Sequence, residues 1–132
     1  MTNRNAFIKE LRGESIGTVT AETSAEEFFQ NETLRPIAKL QNDLLLTVFQ
    51  NYMAKSKIDF RQYSVQKKME FVENAIKKDM KFQHILKGIM IGFFTLEEYN
   101  RYTANSSALN KRITNLLIER IKSQIQILDN FS

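Results

Sequence analysis

Ala108–Leu128 reads ALNKRITNLLIERIKSQIQIL, and its apolar residues recur at helical spacing. Leu109, Ile113, Leu116, Leu117, Ile121, Ile125 and Leu128 fall three or four positions apart, which places them on one stripe of an α-helix. Ile118 and Ile127 lie outside that stripe. A helix apolar this far round is either central to its fold or covered by another subunit. No strand pair with a hairpin turn occurs after residue 20, so the chain is expected to be all-α.

Working back from this helix, the Asn105-Ser106-Ser107 cluster breaks the chain. Thr95-Leu96-Glu97-Glu98 is a capping box, in which the threonine and the third following residue each satisfy an amide of the other. It opens a short helix carrying Leu96, Tyr99 and Tyr102. Asp79 caps a helix over about 80–94, with Phe82, Leu86, Ile89 and Phe93 on one side. Ser64 caps another over about 65–78, with Met69, Phe71, Val72 and Ala75/Ile76 inward.

A long helix spans about 34–55, with a seam of Leu34, Ala38, Gln41, Leu45, Val48 and Tyr52, widened by Ile37, Leu44, Phe49 and Met53. Pro36 either kinks a longer helix or sits in the first turn of a new one, and Thr33 as its cap fits the second option. Ser24-Ala25-Glu26-Glu27 is a second capping box, before Phe28 and Phe29. Phe7, Ile8 and Leu11 share a face of an N-terminal helix that Gly13 ends. The segment 13–23, GESIGTVTAET, has no helical period and reads as an extended arm that crosses another helix or a partner subunit. The expected architecture is one domain over residues 1–132. Residues 1–23 form the first helix and arm, and residues 24–132 form a core, giving a bundle of five or six helices.

At 132 residues the chain has room for one core. Four glycines and one proline suit long uninterrupted elements. With no cysteine, disulfides and thiolate–metal chemistry are excluded, which suits a reducing cytoplasm. The N-terminus lacks the apolar run of a secretory signal. The most apolar stretch, Ile85–Phe94, is about half a membrane span and carries Lys87. The net charge of +4 permits binding to phosphates or acidic partners without requiring it.

Two serine motifs match by letter and fail on context. Gly13-Glu14-Ser15-Ile16-Gly17 fits G-x-S-x-G, but no buried strand precedes it and no long helix follows. Ser64-Val65-Gln66-Lys67 fits S-x-x-K without its companion motifs, and a helix cap explains Ser64. His84 is the only histidine and falls opposite the apolar side of its helix, so a two-histidine zinc site is excluded within one chain. The pairs Glu26/Glu27, Glu70/Glu73 and Glu97/Glu98 read as solvated faces and first-turn acids favoured by the helix dipole. No catalytic, cofactor-binding or metal residues are expected.

Three constellations remain. Gly88 and Gly92 flank Ile89-Met90-Ile91 in a small-xxx-small step that lets helix backbones approach. Either this packs inside the domain or, with Ile91, Ile118 and Ile127, it forms a self-association seam. Gln41, at the centre of an apolar stripe, needs a hydrogen-bond partner, and with Asn42 and Tyr52 could line a small-ligand site. Lys67, Lys78 and Lys81 would share one side if 65–81 formed a single helix, and Arg112, Arg120 and Lys122 add a second basic set. Binding to a nucleic-acid backbone would call for aromatic or arginine contacts among these lysines, whereas the phenylalanines fall at core spacing.

The runs FFQNETLRPIAKLQNDLL (28–45), KGIMIGFFTLEEYNRY (87–102) and NSSALNKRITNLLIERIKSQ (105–124) resemble a family of small uncharacterised helical proteins from Bacteroidetes-type genomes. Some members carry the label glyoxalase. That activity implies β-α-β-β-β modules and a metal on histidine and glutamate. A chain with one histidine and a helical pattern from residue 24 onward does not match it. The residues point instead to a cytoplasmic, non-enzymatic interaction module, a homodimer or a protein-binding partner. Nucleic-acid binding and a ligand site in the bundle are the alternatives.

Overall fold

Asp79 is the clearest hinge between elements. Its backbone is extended, and its carboxylate accepts the Phe82 amide at 3.1 Å, so one helix ends and another begins there. The computed structural model describes residues 3–17 and 23–129. These form α1 (Arg4–Arg12), α2 (Ala25–Phe29), α3 (Arg35–Leu40), α4 (Asn42–Lys55), α5 (Val65–Lys78), α6 (Met80–Ile91), α7 (Leu96–Ala104), α8 (Ser106–Lys122) and α9 (Ile125–Asp129). The protein is all-α, with no strand among the described residues, and no helix there is long and apolar enough to cross a membrane.

The helices are cut more finely than their periodicity suggests. The expected helix 34–55 bends at Gln41, where the backbone leaves helical geometry for one residue while hydrogen bonds continue on both sides. The last helix is interrupted at Ser123 and Gln124, and α9 continues along α5, where Lys68 holds Asp129 at 2.8 Å. Lys68 is therefore buried, unlike the exposed Lys67 beside it.

Thr33 does not cap a new helix. Residues Gln30–Leu34 form a π-helical turn that joins α2 to α3 without interruption. The wider turn changes the hydrogen-bond register just before Pro36, whose ring nitrogen has no proton to give. Both box sequences do cap their helices. Ser24 accepts the Glu27 amide, while Thr95 and Glu98 form the full reciprocal box.

One apolar cluster runs from Phe29 to Leu128, with α8 contributing Leu109, Ile113, Leu116, Leu117, Ile118 and Ile121. Ile118 therefore belongs to the core and is not on the folded surface. Rings fill the centre: Phe49 contacts Phe71 and Phe82, and Phe29 meets Phe94 edge-on at 5.5 Å.

The N-terminal helix docks differently from its apolar pattern. Ile8 is buried, but Phe7 and Leu11 are 61% and 62% exposed. Its hold is ionic and polar. Arg12 grips Glu98 through both terminal nitrogens, one contact at 2.7 Å, with the two side chains 4% and 1% exposed. The Thr33 hydroxyl and the Thr95 amide donate to the same carboxylate. Arg12 also donates to the Phe93 and Glu32 carbonyls, and Arg4 to those of Gly92 and Phe94. Beyond α1, Gly13 takes φ 74°, and the Ile16 amide donates to the Asn31 carbonyl at 2.8 Å. So residues 13–17 cross the π turn; Val19 and the rest of 18–22 lie outside the described residues.

Glu98 thus reverses its expected role as a solvated first-turn acid. Burial acts to raise its pKa, but the bonds from Arg12, Thr33 and Thr95 outweigh it and hold the carboxyl at about 2, against an ordinary value of 4.5. A depressed carboxylate stabilises the fold fully above its unfolded value, and that contribution drains away as pH falls towards about 2. Glu98→Gln should cost about 3–5 kcal/mol, because it leaves Arg12 buried without a counter-charge. In urea melts, the wild type should lose stability steeply between roughly pH 4.5 and 2, and the variant should lack that component of the slope. Equal slopes would show that Glu98 is not the group responsible.

Candidate functional site

The helices α4 and α6 lie beside one another but touch mainly through long side chains. The Tyr52 ring stacks on Phe82 with centroids 4.0 Å apart, and Phe49 reaches the same ring at 5.8 Å. At the other end, Gln41 reaches the Ile89 carbonyl at 3.4 Å, a long bond. Between them runs an open groove. Its lower part is a cleft of about 330 Å³ walled by Val48, Tyr52, Phe82 and Ile85, with Lys55 and Lys81 at its rim.

Apolar side chains on α3, α4 and α6 are left uncovered. Leu40 is 39% exposed, Leu44 47% and Ile85 49%. Leu44 was expected to widen the buried stripe, and instead it faces outward. Leu44 follows the exposed Leu40 by one turn, while Leu45 continues the buried stripe of Leu34 and Ala38 across Gln41.

Gly88 sits one turn beyond Ile85 on the same side of α6. A methyl group placed on it would meet nothing within 4 Å, and one on Gly92 would meet only carbonyls of its own helix. Both glycines are exposed. The small-xxx-small step therefore packs against nothing inside the domain. Ile91 leans on the core, and Ile127 is 43% exposed on α9, away from the buried Ile118. The five residues Gly88, Ile91, Gly92, Ile118 and Ile127 do not form one surface.

The anticipated ligand site is also dispersed. Asn42 and Gln124 exchange amide hydrogen bonds at 2.7 and 2.8 Å, and Arg120 adds a third at 3.1 Å. Gln41 points to α6 instead, and Tyr52 donates to Asp79 at 3.1 Å, so the three do not converge. The basic set separates as well. Lys67 and Lys78 are eleven residues apart on α5, roughly 16 Å at helical rise, and Lys81 belongs to a different helix because Asp79 ends α5. Lys67 lies over the Tyr63 ring at 4.2 Å. His84 is exposed, and among the described residues no three acidic or histidine side chains converge.

The Arg12–Thr33–Glu98 cluster escaped sequence reading. Glu98 was legible as the third residue of a capping box, but nothing local ties it to an arginine 86 positions earlier. No family model, curated protein or solved structure matches this chain.

Asp79 performs two tasks at the cleft, with one oxygen on the α6 cap and the other on the Tyr52 hydroxyl. Burial raises the Tyr52 pKa above 10, and the Asp79 bond and negative charge raise it further. Asp79→Asn keeps a capping oxygen but removes the charge. Phenolate absorbance should then show Tyr52 ionising at lower pH than in wild type. An unchanged titration would separate Asp79 from the phenol.

Proposed function

We propose that this chain is a non-enzymatic helical interaction module that self-associates through the α4/α6 groove. One observation carries the reading: Ile85 is exposed at the α4/α6 cleft, one turn from Gly88, where the backbone of α6 is open to approach, and Leu40 and Leu44 are exposed on the α3–α4 side. Contiguous apolar surface flanking a bare helix backbone suits another helix, since missing side chains allow close interaxial contact. The polar ends, Gln41 above and Asp79 with Lys55 and Lys81 below, would set its register. We assign the protein to the cytoplasm on the strength of its cysteine-free sequence.

A second copy is the simplest occupant, because a closed two-fold pairing places the same groove on both partners. Sedimentation velocity over a wide concentration range should give a monomer–dimer equilibrium for the wild type. The double variant Leu44→Asp/Ile85→Asp should remain monomeric with an unchanged helical spectrum. A strict monomer at high wild-type concentration would overturn the proposal.

Gly88 offers a separate check on the monomer. With nothing near its added methyl group, Gly88→Ala should raise stability by about 0.5–1 kcal/mol through helix propensity alone. Thermal melts at low protein concentration measure this. Destabilisation would mean that Gly88 is packed within the domain.

A further inference from the structure

Where α1 ends, the chain turns back across the π-helical turn. Gly13 takes φ 74°, which a glycine adopts without strain, and the Ile16 amide donates to the Asn31 carbonyl at 2.8 Å. Arg12 donates through Nη2 to the Glu32 carbonyl at 3.1 Å, so the crossing is pinned at two points. Beside these contacts lies a cavity of about 510 Å³, in the size range of small-molecule sites. Lys9, Arg12, Glu14, Ser15, Phe28 and Glu32 line it. The π-helical turn that carries Glu32 is a geometry frequent at functional sites.

Two polar atoms of these lining residues are buried without a hydrogen-bond partner: the Nε–H of Arg12 and one carboxylate oxygen of Glu32. Arg12 is 9% exposed, and its terminal nitrogens are taken by Glu98 and by backbone carbonyls. Buried donors and acceptors are satisfied in nearly all folded proteins, so a donor and an acceptor left over at one cavity call for a reason. Glu32 as a residue is only half-buried, and rotation of its carboxylate turns the orphaned oxygen towards the cavity. Among the described residues neither Glu14 nor Glu32 forms an ion pair, whereas Arg12 is neutralised by Glu98. Glu14 and Glu32 set against Lys9 leave the cleft with an excess of one negative charge. Phe28 supplies a half-buried aromatic wall.

We propose that this cleft binds a small organic ammonium compound, with the Glu32 carboxylate as its counter-ion and the Phe28 ring against its body. An ammonium brings the donors that the Glu32 carboxylate lacks, in charge-assisted bonds, and an aromatic face attracts the same cation. A ligand that also carries a carboxylate, as a free amino acid does, would meet Lys9 and the Arg12 Nε–H. The site is distinct from the α4/α6 groove and does not rest on self-association.

The test titrates the chain with phenethylamine, L-phenylalanine and N-acetyl-L-phenylalanine at neutral pH and constant ionic strength, following backbone amide resonances. The two amines should give saturable shifts at Lys9, Glu14, Phe28 and Glu32. The acetylated compound has no ammonium and should give none. Glu32→Gln removes a carboxylate that holds no side-chain partner, so the variant should keep its fold and bind the amines about tenfold more weakly. Phe28→Leu should also weaken binding, and it decides the matter if Glu32→Gln fails to fold. Tighter binding of phenylalanine would identify the ligand as amino-acid-like, and tighter binding of phenethylamine would identify it as a simple amine. The site is overturned if no probe saturates, if the acetylated compound binds as well as the amines, or if binding survives unchanged in both variants.

Discussion

The pairing of Arg12 with Glu98 is the constraint on which the arrangement of the remaining helices rests. Taking both ions out of water costs several kcal/mol each, so the pair holds only because its geometry is two-pronged and the other donors are supplied. Thr33 comes from the π turn and the Thr95 amide from the start of α7. One carboxylate therefore joins α1, the α2–α3 connection and α7. Arg4 and Arg12 also take the carbonyls of Gly92, Phe93 and Phe94, which helix termination would otherwise leave without partners. The C-terminal end of α6 is thereby fixed. Since α6 forms one wall of the groove, the buried ion pair beside its C-terminal end helps to fix the helix that presents Ile85 and Gly88.

Such a pair also explains why α1 can expose Phe7 and Leu11. An amphipathic helix usually docks by its apolar stripe, but here one isoleucine and two arginines suffice. The polar contacts confer direction, and the apolar face is left over. The same division recurs between the Gln30–Asn42 stretch and α8, where polar rungs set register and the core residues beneath them supply most of the burial energy.

Elements governed by neighbouring residues were legible from sequence. The all-α class, the Thr95–Glu98 box, the Asp79 and Ser64 caps and the core positions of α5 and α8 all follow from spacing within a few turns. What escaped was set by distant partners. Glu98 became a buried ligand of Arg12 because of a contact spanning 86 positions, and Ile118 joined the core because α8 is surrounded on most sides. Leu44 is exposed although its spacing fits the apolar stripe, because no neighbouring helix covers that side of α4. The candidate surface suffered most, since exposure is a property of packing and not of composition. Gly88 and Gly92 were recognisable as a pair, yet only the fold reveals that Gly88 faces open space.

The proposed mode of action is contact, through one apolar groove. A dilution series followed by backbone amide resonances tests this most directly, because it reports where association occurs as well as whether it does. Concentration-dependent shifts should gather at Leu40, Leu44, Ile85 and Gly88 and leave α8 unchanged. Spectra independent of concentration, or shifts confined to Phe7 and Leu11 on α1, would contradict it.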